Sequence, residues 1–379
     1  MNKNTLACLW LNHIKTFRFK DIYPLIEHFG GIVETYEFFT GGEDNLNMLV
    51  DAKCIKPQTK TEIMEIDMDY WLNNLNDDLE RTGIRYSTYL DPSFPERLKC
   101  IPEYPLVLYY RGNLELAKSD HAIGIVGSRR PTFYGLNTAE EFAGELARKG
   151  IVVVSGMAYG IDSKSHQAAI NVGGKTIAVL GGGVDICYPT VNFDIYQDMC
   201  ENHLVLSEYE PGTQHVSKNF PTRNRIISGL SDGLLVVEAA LRSGTLITAD
   251  FALNQGKAIY AVPGRTSDIL SKGSNNLIKQ GAMLADSPVD IMVDMYGTEY
   301  TREKNKAKEI KPGKYEKNVK NLTMIQKKLY TMLGYEPIYI DDLIRANDMK
   351  IGETIQEMNE LCRQGFAECV EKCYYILKP

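Results

Sequence analysis

A chain of 379 residues, 44% hydrophobic and 24% charged, has an ordinary globular composition with length for roughly two to four domains. Its net charge of −7 argues against a uniformly basic nucleic-acid-binding surface, so any polyanion site must come from local clustering of cations. The eight cysteines form no Cys-x-x-Cys pair, which argues against a ribbon-type zinc site and a disulfide scaffold, and no apolar run approaches the ~20 residues of a membrane span.

Residues 1–80 read as a small helical domain, with one helix over 21–31 ending at Gly30-Gly31 and another over 63–79. The N-terminal third carries most of the acidity: residues 1–120 hold 13 Lys and Arg against 19 Asp and Glu. Pro92, Pro95, Pro102 and Pro105 mark an extended connector that leads to a strand at 106–110, added to the edge of a larger sheet. Apolar runs at 123–126, 151–154, 176–180, 204–206, 234–237 and 258–262 then read as buried parallel strands. Helical spacing fills the intervals, as in Leu136, Ala139, Phe142, Ala143, Leu146 and Ala147 before the stop at Gly150. The pattern predicts an α/β fold: a doubly wound, mostly parallel sheet with ligands at the carboxyl ends of its strands. The central domain runs over 81–295, and a basic linker over 296–320. Eight Lys or Arg against three Glu in 301–320 mark a solvated tether. Residues 321–379 form a last domain, with helices at 322–333, 340–346 and 351–363 and a hairpin at 366–377, the pattern of a winged helix. Its candidate recognition helix carries Glu353, Glu357 and Glu360, which phosphates would repel, so a protein contact is expected of it.

The turns after the strands carry the chemistry. Gly127-Ser128-Arg129-Arg130 follows the first parallel strand, and Lys218-Asn219-Phe220-Pro221-Thr222-Arg223-Asn224-Arg225 opens a helix. Helix N-termini attract anions, and guanidinium forks match phosphate oxygens. Arg129, Arg130 and either Arg223 or Arg225 are therefore candidate phosphate contacts. Phe220 reads either as a base platform or as core, and Lys218 either as a phosphate contact or as a solvated charge. Gly156, after the second parallel strand, and Ser243-Gly244-Thr245, opening a later helix, let backbone approach a phosphate; Ser243 or Thr245 serves equally as an N-cap. A dyad of His166 with Ser155 or Ser207 is the minor catalytic reading. Gly181-Gly182-Gly183 does not make Gly-x-Gly-x-x-Gly, and no P-loop occurs, so neither a nicotinamide enzyme nor an NTPase is expected.

From about residue 104 to 284 the chain resembles the DNA-processing protein A (DprA, also called Smf) family. The matching runs are 125–130, 155–162, Ser207-Glu208-Tyr209, 220–230 and 243–249, followed by Pro263-Gly264, Leu277-Ile278 and Gly281-Ala282. The resemblance implies an extended Rossmann-like domain that binds single-stranded DNA without sequence preference, flanked by a helical module of the SAM or helix-hairpin-helix kind and a winged helix. It also implies a cytoplasmic homodimer that loads the RecA recombinase during natural transformation, with no catalysis and no cofactor. On the family's pattern Ser128, Arg129, Lys218, Phe220, Arg223 and Asn224 line the DNA groove, and Leu277, Ile278 and Met283 fall at the dimer surface. The alternative is a nucleotide phosphoribohydrolase of the lysine-decarboxylase-like kind. Those enzymes carry paired glycines in a loop where this chain reads Glu238-Ala239-Ala240-Leu241-Arg242.

Overall fold

Nine strands form the central sheet: β1 (Arg85–Thr88), β2 (Val107–Gly112), β3 (Ala122–Val126), β4 (Val152–Ser155), β5 (Thr176–Val179), β6 (Leu204–Ser207), β7 (Gly233–Val236), β8 (Ala258–Ala261) and β9 (Met283–Leu284). The computed structural model describes residues 1–17, 19–297, 322–334, 337–347, 350–371 and 373–377. The chain divides into two units, Met1–Arg130 with Ala139–Ile291, and Pro131–Thr138 with Met292–Pro379.

The spatial order of the sheet is β1-β2-β6-β5-β4-β3-β7-β8-β9. All pairs from β6 to β9 are parallel, whereas β1–β2 and β2–β6 are antiparallel. The strand expected at 106–110 is therefore present as β2. From β3 the chain winds through β4 and β5 to β6, then crosses back to β7 on the other side of β3. That reversal opens a crevice at the carboxyl ends of β3 and β7, where open α/β sheets bind ligands. The six parallel strands expected from apolar runs are all present. β1 and β9 were missed, because Arg85-Tyr86-Ser87-Thr88 has no apolar run and β9 is two exposed residues long.

Successive residues feed opposite cores. Leu108, Ile177, Val179, Leu204 and Leu206 pack on one face with Ile226, Ile227 and Leu230 of the helix Asn219–Leu230. Val107, Tyr109, Ala178 and Val205 pack on the other, in a core continuous with that of the N-terminal helices. The helix Lys3–His13, capped by the Asn2 side chain on the Thr5 amide at 2.8 Å, buries Cys8, Leu9, Trp10 and Leu11 at the centre of that helical layer. The single helix expected at 63–79 is two, Pro57–Glu65 and Met68–Thr82. The Asp67 carboxylate accepts from the Tyr70 amide at 3.0 Å, so a cap interrupts what apolar spacing alone reads as continuous.

In the second unit the helices Met324–Met332, Ile340–Asn347 and Ile351–Arg363 surround Leu329, Leu343, Met358 and Leu361. Strands β10 (Ile338–Tyr339), β11 (Ala367–Glu371) and β12 (Tyr374–Leu377) pair antiparallel in the order β10-β12-β11. Of the linker placed at 296–320, Tyr296 closes the helix Pro288–Tyr296, and residues 298–320 lie outside the described residues.

Candidate nucleic-acid interface

Two segments about ninety residues apart meet at the carboxyl edge of the sheet. After β3, the Ser128 hydroxyl accepts from the Arg130 amide at 3.1 Å, and this tight turn throws Arg129 and Arg130 out into solvent. After β6, Asn219 donates its side-chain amide to the Gly181 carbonyl at 3.0 Å, which fixes the N-terminus of the helix Asn219–Leu230 over the end of β5. The Arg129 guanidinium then lies over the Phe220 ring, 4.8 Å from its centroid. Exposed Lys218 directly precedes that helix. Arg129, Arg130 and Lys218 are thus exposed cations, Ser128 is the buried hinge of the turn, and Phe220 is a half-buried ring beneath Arg129.

Arg223 is not an open fork. It is 3% exposed, donates to the Gly156 carbonyl at 2.7 Å and to the Val179 carbonyl, and reaches the Asn224 side-chain oxygen through Nε at 3.2 Å. Burial brings its pKa down to about 10, with Asp162 opposing that fall and Arg129 adding to it, so the guanidinium stays charged at neutral pH. Arg223 laces the ends of β4 and β5 together and leaves a fixed positive charge beneath the surface. Gly156 serves that brace and is itself buried: a Cβ there would stand 2.5 Å from Arg223 Nη2.

Arg225 corrects the expectation further. Its side chain is fully buried, with Nη2 at 2.7 and 2.9 Å from the two oxygens of Glu208. Residues two apart on a helix point about 200° apart, so only one of Arg223 and Arg225 can face the strand ends. Burial pushes the Glu208 carboxyl up, and the Arg225 charge works against that rise.

Ser243 and Thr245 also spend their hydroxyls inside the protein. Ser243 accepts from the Thr245 amide at 3.2 Å and donates to Thr245 Oγ1 at 2.9 Å, and Thr245 donates to the Gly127 carbonyl at 3.0 Å. The capping reading describes them, and the bridge to Gly127 ties the β7 turn to the β3 turn across the crevice. Of the three, only Gly244 is exposed.

Sequence reasoning missed Tyr188 and His215. The Tyr188, His215 and Phe220 rings lie within 31° of parallel, with centroids 5.2 Å (Tyr188–His215), 5.7 Å (Tyr188–Phe220) and 6.3 Å (His215–Phe220) apart. For His215 the signal was the glycine run Gly181-Gly182-Gly183, a strand-end turn at the site's edge that makes no dinucleotide motif. A Cβ at Gly181 would come within 3.1 Å of Phe220, and one at Gly182 within 2.9 Å of the His215 ring. These glycines let the segment before Phe220 lie directly on the end of β5. His215 Nε2–H donates to the Ile186 carbonyl at 2.9 Å, and burial lowers its pKa, so the ring is neutral.

His166 does not meet a serine. Thr176 Oγ1 donates to the Val153 carbonyl at 2.7 Å and accepts from His166 Nδ1 at 2.7 Å, whereas Ser155 donates to Ile125 and Ser207 to Leu180. Among the described residues no three His, Cys, Asp or Glu gather as a metal site. Of the expected dimer residues, Leu277 packs against the sheet core and Ile278 is half-buried. Met283, with Leu284, stands exposed on the outermost strand β9.

The model of the DNA recombination-mediator protein A family matches residues 85–296. The chain is 43% identical over 205 residues to DNA processing protein DprA of Streptococcus pneumoniae, covering 54% of this chain and 72% of that protein. It is 33% identical over 287 residues to protein Smf of Escherichia coli, covering 75% of each. The X-ray structure of DNA processing protein A from Streptococcus pneumoniae superposes with a TM-score of 0.66 at 33% identity, over 78% of this chain and 98% of that one. A structure giving the single-stranded DNA binding mode of DNA processing protein A from Helicobacter pylori superposes with a TM-score of 0.51 at 31% identity, over 55% and 95%. With more than half of its length matched, the chain belongs to the DNA recombination-mediator protein A family.

Proposed function

We propose that the chain binds single-stranded DNA without sequence preference and passes it to the RecA recombinase, acting by binding and not by turnover. The observation that carries this reading is the Arg129 guanidinium seated on the Phe220 ring at the carboxyl edge, with Lys218 and Arg130 exposed nearby. Cations neutralise phosphates of any sequence, and an aromatic face accepts any base, worth roughly 1–3 kcal/mol per stacked base. A duplex hides its base faces, so aromatic side chains at this edge favour an unpaired strand. The Helicobacter pylori relative's single-stranded DNA binding supports the same assignment.

Family membership supports the remaining roles. The edge strand β9, with Met283 and Leu284 exposed, is suited to pairing with a second copy, giving a homodimer. The last unit, with three helices and three short strands, reads as a winged helix that contacts protein. A cytoplasmic site of action during natural transformation fits the proposed partners, single-stranded DNA and RecA. No described helix is long and apolar enough to cross a membrane.

A band-shift with matched single- and double-stranded oligonucleotides tests the reading. Retention of the single strand at protein concentrations that leave the duplex free is expected. Equal retention of both, or of neither, would overturn it.

A further inference from the structure

Phe220 is the ring that the sequence nominates for stacking, yet it is already engaged. Arg129 lies over it, Arg223 stands 6.0 Å from its centroid, and Gly181 packs against its edge. Tyr188 differs: it belongs to the same near-parallel cluster and is 42% exposed. Its loop is held in place from several sides. Asn192 donates to the Met157 carbonyl at 2.9 Å, His215 to the Ile186 carbonyl at 2.9 Å, and the Gly212 amide to both oxygens of Asp185 at 3.0 Å. The Gly183 amide reaches the Thr213 carbonyl at 2.8 Å. A large ring fixed by its neighbours and left open to water costs no ordering when a flat ligand covers it. Val191 and Phe193, 72% and 49% exposed, extend the apolar surface along the same loop.

We propose that Tyr188 is a base-stacking residue of this site, the open ring of a Tyr188–His215–Phe220 platform whose Phe220 ring is capped by Arg129. The strand then runs past the exposed cations of the β3 turn and lays a base on Tyr188, so that the groove holds more than the nucleotide beside Phe220. This inference rests on the single-stranded DNA reading and adds a second contact to it.

Fluorescence anisotropy titrations of an oligothymidylate, and of an abasic strand of the same length, test it with the parent chain, Tyr188→Ala and Tyr188→Phe. Tyr188→Ala is expected to bind oligothymidylate about tenfold more weakly, Tyr188→Phe like the parent, and all three to bind the abasic strand alike. Equal affinity of Tyr188→Ala and parent for oligothymidylate would overturn the proposal. So would an equal loss on the abasic strand, which would mean that the ring only supports the loop. A parent chain that binds neither strand would overturn the underlying reading as well, an outcome visible in the same titration.

Discussion

At the level of single residues, the two arginines of Arg223-Asn224-Arg225 do different work, and their substitutions should separate. Arg225→Ala strands the buried Glu208 carboxylate, so unfolding stability is expected to drop by about 3–5 kcal/mol while the folded fraction keeps its DNA affinity. Replacing both partners with apolar residues, as Arg225→Met with Glu208→Leu, should restore most of that loss in a denaturant melt. A large affinity loss at unchanged stability would return Arg225 to the groove. Phe220→Ala removes the seat of the Arg129 guanidinium and should weaken binding to all base compositions alike, by about 0.5–1 kcal/mol. The sequence nominated Arg129 and Phe220 correctly as neighbours, because both sit where strand ends meet helix starts. It could not separate Arg223 from Arg225 by residue type; the helical angle between them would have done so. Tyr188 was illegible because its loop carries no periodicity, and its ring is placed by packing beside His215 and Phe220.

Secondary-structure elements were legible where burial is two-sided. β3, β4, β5, β6 and β7 are buried along their whole length, so their apolar runs stand out. Edge strands β1 and β9 lack that constraint, and the break at Asp67 depends on one side-chain cap. The helix Ile161–Asn171 is joined to β5 by the His166–Thr176 hydrogen bond, and this joint is sensitive to pH. Burial, helped by the His203 and Arg223 charges, lowers the His166 pKa from an ordinary 6.5 to about 3. The unfolded chain therefore takes up the proton first, and the contribution is whole above pH 6.5 and is lost as pH falls toward about 3. At pH 5 the loss is about 2 kcal/mol. Thermal melts should show a drop from pH 7 to pH 5 that is smaller by a few degrees in His166→Gln than in the parent; equal drops would contradict the assignment. Gly156→Ala tests the neighbouring joint. A Cβ 2.5 Å from the Arg223 guanidinium must displace it from β4 and β5, at an expected stability cost of about 1–3 kcal/mol.

Across the whole molecule, net negative charge coexists with a cationic edge because the acidity lies mainly in the first 120 residues, and Arg129, Arg130 and Lys218 gather at the strand ends. The exposed β9 edge gives the proposed dimer its own test: Met283→Lys should shift sedimentation from dimer to monomer, and an unchanged dimer would move the interface elsewhere. The central claim is that cations from distant segments grip one unpaired strand. Its most direct measurement is the salt dependence of oligonucleotide affinity in the parent chain and in Arg129→Ala. The expected result is a log–log slope of about −0.7 per phosphate contacted, reduced in magnitude by about 0.7 in the variant. An affinity that ignores salt, or a slope that Arg129→Ala leaves unchanged, would contradict it.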